Sequence, residues 1–169
     1  IVDDCTCKMG AYHLSSGALT YKQTGNKSHQ SFERHPSGQW LASITDPHNP
    51  TELYTIGNNA LQKITKVNDE FKNLIQFANV EKIVSKSKDG AQVSNLLYSP
   101  ADKTMSNLPS IFFIHGGPVA QDEFSFDITR QILAAQGYAV VAVNYRGSNG
   151  RGLDYCKSIY ADWGNKEVL

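Results

Sequence analysis

Ser110-Ile-Phe-Phe-Ile-His-Gly-Gly-Pro118 is the stretch on which the reading of this chain turns. Ile111 to Ile114 form a short continuous apolar run of β-branched and aromatic residues. Such a run predicts a strand buried on both faces. It ends on His115-Gly116-Gly117-Pro118, where two glycines let the backbone turn sharply and approach another group closely. Pro118 fixes the exit and biases Gly117 away from the helical region. From Phe126 to Gly137, apolar residues at 128, 132, 133 and 135 and a closing glycine predict a helix near 126–136. Tyr138 to Asn144 then reads as a second buried strand. Strand, glycine turn, helix, strand is a βαβ unit with the runs 111–115 and 139–144 as adjacent parallel strands.

The glycine turn has two readings. In one it is a tight loop that only redirects the chain, as glycines do throughout proteins. In the other it is an oxyanion hole. α/β-Hydrolases take one donor to the developing oxyanion from a backbone N–H in the loop after the third strand. The chemistry needs a donor close to the reacting oxygen with no side chain in the way. Gly117 is the candidate for that N–H, with His115, Gly116 and Pro118 completing the loop.

Four motifs stand in one order at close spacing: His115-Gly-Gly-Pro118, Gly137-Tyr-Ala-Val-Val-Ala-Val-Asn-Tyr-Arg-Gly-Ser148, Gly150-Arg-Gly152 and Ala161-Asp-Trp-Gly164. Together they resemble the start of the catalytic domain of the prolyl oligopeptidase family of serine peptidases. The nearest similarity is to its acylaminoacyl-peptidase and dipeptidyl-peptidase-like branch. The resemblance covers residues 110–164 and is looser upstream. It implies an α/β-hydrolase fold, a mostly parallel sheet with flanking helices, preceded by the end of a β-propeller, both incomplete. On this reading residues 1–79 are the C-terminal part of the propeller. Residues 80–169 are the N-terminal part of the catalytic domain. The implied activity is hydrolysis of short peptides through an acyl-enzyme on a serine, with no metal or organic cofactor.

Residues 8–78 read as short strands between turns. Ala11 to Leu14 and Ala18 to Tyr21 flank Ser15-Ser-Gly17, and Gln39 to Ile44 follows Pro36-Ser-Gly38. Glu52 to Ile56 follows Asp46-Pro-His-Asn-Pro50, and Leu61 to Val67 follows Gly57-Asn-Asn59. Strands at roughly ten-residue spacing with Gly, Pro and Asn turns predict an antiparallel all-β unit. Pro36 to Ile44 with Glu52-Leu-Tyr54 is similar to a propeller blade of the family, and one blade cannot close a propeller. Val80 to Lys86 and Ala91 to Tyr98 flank Lys88-Asp-Gly90, a hairpin signal. Tyr98-Ser-Pro100 follows it as in the family, then a polar loop from Ala101 to Pro109, and the domain boundary is expected near Asn79.

The loop Asn144 to Gly152 is rich in glycine but lacks the Gly-Lys-Ser/Thr of a phosphate-binding P-loop and the G-x-G-x-x-G spacing of a dinucleotide site. It reads as structural. Arg146 either orients substrate or carries a buried ion pair, and the ion pair is the favoured reading. Leu153 to Asp162 is amphipathic, and Trp163 is expected to pack against the core. His13, His29, His35 and His48 lie in or beside turns without partners in sequence and read as surface residues. Cys5-Thr-Cys7 has half the ligands of a metal site with no second pair following, so Cys5, Cys7 and Cys156 read as ordinary thiols.

No serine is flanked by glycines at both two-residue offsets, so the G-x-S-x-G nucleophile elbow is not in these 169 residues. In the relatives it lies beyond the Asp-Trp-Gly stretch, past Leu169. His115 precedes that place and sits on the glycine loop, so it is assigned to packing or orienting the loop. The 169-residue stretch alone is expected to be inactive, and the remainder of its own chain is an implied partner. The start, Ile1-Val-Asp-Asp4, is neither a methionine nor a signal peptide, which suggests processing or a longer parent. Sixteen basic and 16 acidic residues give zero formal net charge, which argues against a nucleic-acid partner. No apolar run approaches a membrane span. Two other classes stay open: a carboxylesterase or lipase on the same fold, and a binding module that kept the scaffold without the triad. Compartment, oligomeric state and substrate preference leave no mark in these residues.

Overall fold

The computed structural model describes residues 1–21, 25–57, 60–102 and 106–168. The turn residues Asn58 and Asn59 and the loop residues 103–105 lie outside the described residues. In chain order the strands are β1 (Val2–Asp3), β2 (Thr6–Cys7), β3 (Gly10–Tyr12), β4 (Leu19–Tyr21), β5 (Ser28–Arg34), β6 (Trp40–Asp46), β7 (Asn49–Ile56) and β8 (Leu61–Lys63). Helix α1 (Asp69–Leu74) follows, then β9 (Asn79–Lys86), β10 (Gln92–Ser99), β11 (Ser110–Ile114), α2 (Ile128–Ala135), β12 (Ala139–Asn144) and α3 (Leu153–Lys157).

The chain divides into two compact units. The first holds Ile1, Thr6–Ile75 and Phe124–Phe126; the second holds Val2–Cys5, Gln76–Glu123 and Asp127–Leu169. The break after Ile75 falls a few residues before Asn79, and two short segments change sides without any turn signal to mark it.

In the first unit, β2, β5, β6, β7 and β8 are neighbours in that order in one sheet. From β5 to β8 the pairing is an antiparallel meander, and β2 joins β5 in parallel through Cys7 and Ser28. Turn chemistry sets each reversal. Gly38 has φ +91° and its N–H donates to His35 O at 2.8 Å, closing the β5–β6 turn. The Asp46 carboxylate takes His48 N at 3.0 Å and Asn49 Nδ2 at 2.7 Å, an Asx-type turn between β6 and β7. Met9, Ala42, Ile44 and Ile56 form the core, with Trp40, Tyr54 and Leu61 packed on it. Strands β3 and β4 pair apart from this sheet.

Three features here differ from expectation. β5 is a seven-residue strand whose polar sequence, Ser-His-Gln-Ser-Phe-Glu-Arg, hides it. α1 lies where only strands were expected. Its start is held by Glu52, a buried carboxylate on β7 that accepts from Asn68 N at 2.8 Å, Asn68 Nδ2 at 3.0 Å and Thr65 Oγ1. Finally, His29 is buried rather than on the surface, its ring Nδ1 hydrogen-bonded to Cys7 O at 3.1 Å.

The second unit is built on a sheet in the order β11-β12-β10-β9. β9 and β10 form a hairpin around Asp89-Gly90, with Gly90 at φ +89° and Ser87 N donating to Ala91 O at 2.8 Å. β11 and β12 are adjacent and parallel, joined through α2. The third pairing, β10 with β12, is antiparallel. The sheet in this stretch is therefore mixed, not mostly parallel. The short turn between β9 and β10 forces them antiparallel, and the helical crossover permits the parallel pair β11–β12. The helix begins at Asp127, whose carboxylate accepts from Arg130 N at 3.0 Å. It ends in a Schellman motif: Gly137 at φ +99° donates to Ala134 O at 2.9 Å, and Tyr138 N donates to Leu133 O at 3.2 Å.

Leu96, Tyr98, Val140 and Ala142 on the two inner strands are fully buried. β11 is different. It lies at one edge of this sheet, and Phe112 and Ile114 are 65% and 72% exposed while Ile111 and Phe113 are half-buried. The expectation of a strand covered on both faces fails because no described element covers that second face. On α2 the buried side carries Arg130, Gln131 and Ala134, and Ile128 and Ile132 face outward. Burial of those polar residues is tolerated because Arg130 and Gln131 both have polar partners. Arg130 pairs with Asp122 and Asp127 and lies over the Tyr98 and Phe113 rings, and Gln131 Oε1 accepts from Ala78 N at 2.8 Å. α3 is one turn with no buried residue, and Trp163 is 72% exposed rather than packed in the core.

Candidate functional site

The loop after β11 leaves the strand at His115 and turns through Gly116, Gly117 and Pro118. Gly117 sits at φ +124°, a backbone conformation that L side chains rarely adopt. It is exposed, and among the described residues its N–H donates to no acceptor. A cavity of about 330 Å³ lies beside it, lined in part by Ile114, Gly116, Pro118, Tyr145 and Trp163. An exposed, uncommitted N–H at the carboxyl end of a strand can donate to an anionic oxygen that develops next to it.

His115 holds this loop in place. Its Nδ1 lies 3.1 Å from Gly116 O, and its Nε2 lies 2.9 Å from Ser148 Oγ. A carbonyl only accepts, so Nδ1 carries the proton in the neutral ring and Nε2 accepts from the Ser148 hydroxyl. The ring stacks on Tyr145, with centroids 4.7 Å apart and planes at 23°. The Tyr145 hydroxyl then donates to His115 O at 2.8 Å. Burial pushes the Tyr145 phenol above its usual range, with the charges of Glu167 and Asp122 adding to it, so it stays a donor.

Both partners of His115 come from the glycine-rich loop after β12, which the sequence marks only as structural. Ser148 is fully buried there. Asn149 N donates to Ala120 O at 2.8 Å, a second tie between the two loops. Gly147, at φ +102°, has no room for a side chain. A β-carbon there would sit 2.4 Å from Ile159 Cδ1 and 3.3 Å from Pro118 Cβ. The two loops therefore touch over bare backbone.

Farther along, Asn144 at the end of β12 is buried and grips Asp122 on both sides. Asp122 N donates to Asn144 Oδ1 at 2.6 Å, and Asn144 Nδ2 donates to Asp122 O at 2.9 Å. The Asp122 carboxylate pairs with Arg130 of α2. The glycine loop is thus anchored at His115, at Ala120 and at Asp122. The contacts of Asn144, Tyr145 and Ser148 escape sequence reasoning because they are polar residues at a strand end and in the loop after it; only their place beside the Gly147 and Gly150 turns signals a close approach.

Arg146 is buried and paired. Its guanidinium donates to the Asp89 carboxylate of the β9–β10 turn and to Lys166 O. That hydrogen bond from Arg146 holds the Asp89 carboxyl below its usual range. None of the three cysteines forms a disulfide. No group of three or more His, Cys, Asp or Glu among the described residues is arranged to hold a metal ion. No helix among them is long and apolar enough to cross a membrane.

Residues 124–169 match the prolyl oligopeptidase family. Over 162 residues, 94% of its length, the chain is 35% identical to the uncharacterized peptidase YuxL of Bacillus subtilis, of which it covers 25%. The acylaminoacyl peptidase of Pyrococcus horikoshii superposes on 98% of the chain with a TM-score of 0.85 at 22% identity. A solved acylaminoacyl peptidase in complex with Z-Gly-Gly-Phe-chloromethyl ketone gives a TM-score of 0.86, also at 22% identity and over 98% of the chain. At that identity the two structures establish a shared fold. The chain spans 26% of each of those structures, about a quarter of the relatives it matches.

Proposed function

We propose that the chain, whose residues 124–169 match the prolyl oligopeptidase family, is part of a serine-type peptidase that hydrolyses short peptides through an acyl-enzyme. In this reading residues 80–169 are the first part of an α/β-hydrolase domain, and residues 1–79 are the C-terminal part of a β-propeller. The meander β5–β8 has the four antiparallel strands of one blade. The sheet β11-β12-β10-β9 has the hairpin and the first crossover of the hydrolase.

The chain's part in the reaction is to receive charge. A serine outside these residues attacks the scissile carbonyl while a histidine takes its proton, and the carbonyl oxygen becomes an oxyanion. Gly117 N–H, with the N–H that follows the nucleophile, donates to that oxygen. Collapse of the intermediate expels the amine, and water then releases the acyl group by the same sequence. His115 keeps the glycine loop in position and stands outside the triad. Arg146, with its guanidinium committed to Asp89 and Lys166 O, acts as a strut and not as a substrate ligand. Peptide as the substrate class is supported by a structural relative whose complex holds Z-Gly-Gly-Phe-chloromethyl ketone. The observation that carries the reading is the exposed Gly117 N–H at φ +124° on a loop tied down by His115 and Asn144.

The test compares two substitutions in the full-length protein. Gly117→Ala keeps the N–H and adds only backbone strain, with its methyl 3.5 Å from Ala120 Cβ. Gly117→Pro removes the donor as well. Losing one such donor lowers kcat by about 10²–10³. The proline variant should therefore lose at least that much beyond the alanine variant, both being folded by circular dichroism. Equal kcat in the two folded variants excludes Gly117 as a donor.

A further inference from the structure

Two residues next to each other near the start of the chain have backbone conformations that disfavour side chains. Asp4 has φ +34° and Cys5 has φ +68°. Neither is glycine, and a left-handed conformation costs an L residue free energy unless its surroundings enforce it. Such strain at consecutive residues asks for a cause.

The cause lies in what these residues hold. Cys5 is fully buried. Its N–H donates to Gln121 Oε1 at 3.2 Å, and its Sγ accepts from Asn144 Nδ2 at 3.2 Å. Asp4 N donates to Gly150 O at 2.9 Å, and the Asp4 carboxylate pairs with Lys82 on β9. Gly150 has no room for a β-carbon: one would sit 2.2 Å from Gln121 Oε1 and 2.7 Å from Asp4 N. The Asp4-Cys5 turn is therefore inserted where the glycine-rich loop at Gly150 meets the exit of the Gly117 loop at Gln121 and Asp122. It reaches that exit twice. One contact is direct, through Gln121; the other passes through Asn144, whose amide brackets the Asp122 backbone.

We infer that Asp4 and Cys5 form a strained latch that positions the Gly117 loop for catalysis, with Cys5 and Gln121 as positioning residues. The inference rests on the oxyanion role proposed for Gly117. Cys5 itself is no nucleophile: burial, helped by the neighbouring Asp4 charge, pushes its thiol up to about 11. Its value lies in shape and in one acceptor. The hydrogen bonds gained by the turn hold Asp4 and Cys5 in the left-handed region, and in return the turn fixes where Gln121 and Asp122 can lie. A glycine loop tied only by His115 and Ala120 would keep its start in register and lose definition at its end.

The experiment uses the full-length protein and four single variants: Gln121→Ala, Cys5→Ala, Cys5→Ser and Gly117→Pro. Gln121→Ala removes the direct tie without touching the buried cysteine. Cys5→Ala removes the acceptor for Asn144, and Cys5→Ser restores one. Displacing a catalytic group by about 1 Å costs up to about 10²-fold in rate. Gln121→Ala and Cys5→Ala should therefore lower kcat by about tenfold or more with KM within about twofold, and Cys5→Ser should recover most of the loss.

A second readout separates positioning from plain structure. Peptide-resolved alkylation follows Cys5 in the resting enzyme and after a fluorophosphonate has filled the oxyanion site. If the latch and the oxyanion loop are coupled, occupying one protects the other, because coupling is reciprocal. Cys5 should then alkylate several-fold more slowly in the phosphonylated enzyme. Unchanged kcat in folded Gln121→Ala and Cys5→Ala, or an alkylation rate blind to phosphonylation, overturns the latch. Should Gly117→Pro also keep its kcat, the oxyanion reading itself has failed; should it alone be inactive, only the latch has.

Discussion

Replacing Gly147 by alanine probes the contact on which the glycine loop rests. The added methyl would meet Ile159 Cδ1 at 2.4 Å and Cγ1 at 2.8 Å, and Ile159 is itself buried, so one of the two must shift. Overpacking of this kind costs about 1–3 kcal/mol. Backbone strain adds to it, since φ is +102° and an L residue held in such a region costs roughly 1–3 kcal/mol. The expected destabilisation is about 2–6 kcal/mol. Gly152→Ala is the matched control, because φ there is +87° but no atom lies within 4 Å of the new methyl. It should show the strain alone, about 1–3 kcal/mol. Urea unfolding of the full-length protein measures both. Ile159→Val, which removes Cδ1, should partly rescue Gly147→Ala, and a double-mutant cycle should give a favourable coupling of about 1 kcal/mol or more. Activity should follow the packing: Pro118 Cβ lies 3.3 Å from the same methyl, so kcat should fall in Gly147→Ala by roughly tenfold or more and stay near normal in Gly152→Ala. Equal destabilisation in the two glycine variants, or a strictly additive cycle, would refute the claim that the loops meet at Gly147.

Glu52 predicts a pH dependence. Burial opposes its ionisation, but the hydrogen bonds from Thr65 and Asn68, with Lys63 nearby, outweigh burial and hold its pKa down from 4.5 to about 2. A folded pKa below the unfolded one stabilises above about pH 4.5, and that stability is lost as pH falls toward 2; the shift corresponds to about 3 kcal/mol at most. The urea midpoint of Glu52→Gln should therefore lie below wild type at pH 7 and approach it toward pH 2; a gap independent of pH would contradict this. Separately, the 169-residue chain produced alone should sediment as aggregates or melt without a cooperative transition, because β11 offers an apolar sheet edge with Phe112 and Ile114 exposed. A monodisperse monomer with a sharp melt would show that this edge is tolerated.

What the sequence shows and what it hides divide along the range of the interactions. β11, α2 and β12 are legible because local signals agree: apolar runs, helical spacing of apolar residues, and Gly137 as a stop. The β9–β10 hairpin is legible from Asp89-Gly90 for the same reason. β5 is not, since its seven residues include one aromatic and its pairing comes from β6 alone among long partners. Burial is misread where it depends on a neighbour that periodicity cannot see. Phe112 and Ile114 look like core and are exposed, whereas Arg130 and Gln131 look like surface and are buried.

The candidate site follows the same division, and this explains its construction. Gly117 is picked out as a candidate in the sequence because glycines after a strand have a local meaning. The residues that make its position definite are polar and distant: Ser148 is 33 positions from His115, and Cys5 is 139 from Asn144. A bare glycine turn has little rigidity of its own, because glycine gives up more conformational freedom than any other residue on becoming ordered. An oxyanion donor is useful only if it is already in place when charge develops. The ordering must then come from outside the loop, and the means is a set of partly buried hydrogen bonds at His115, Ala120 and Asp122. Left-handed Asp4 and Cys5 belong to that set. Nothing in Ile1-Val-Asp-Asp-Cys5 foretells them, because their conformation is dictated by Gly150, Gln121 and Asn144, residues more than a hundred positions away.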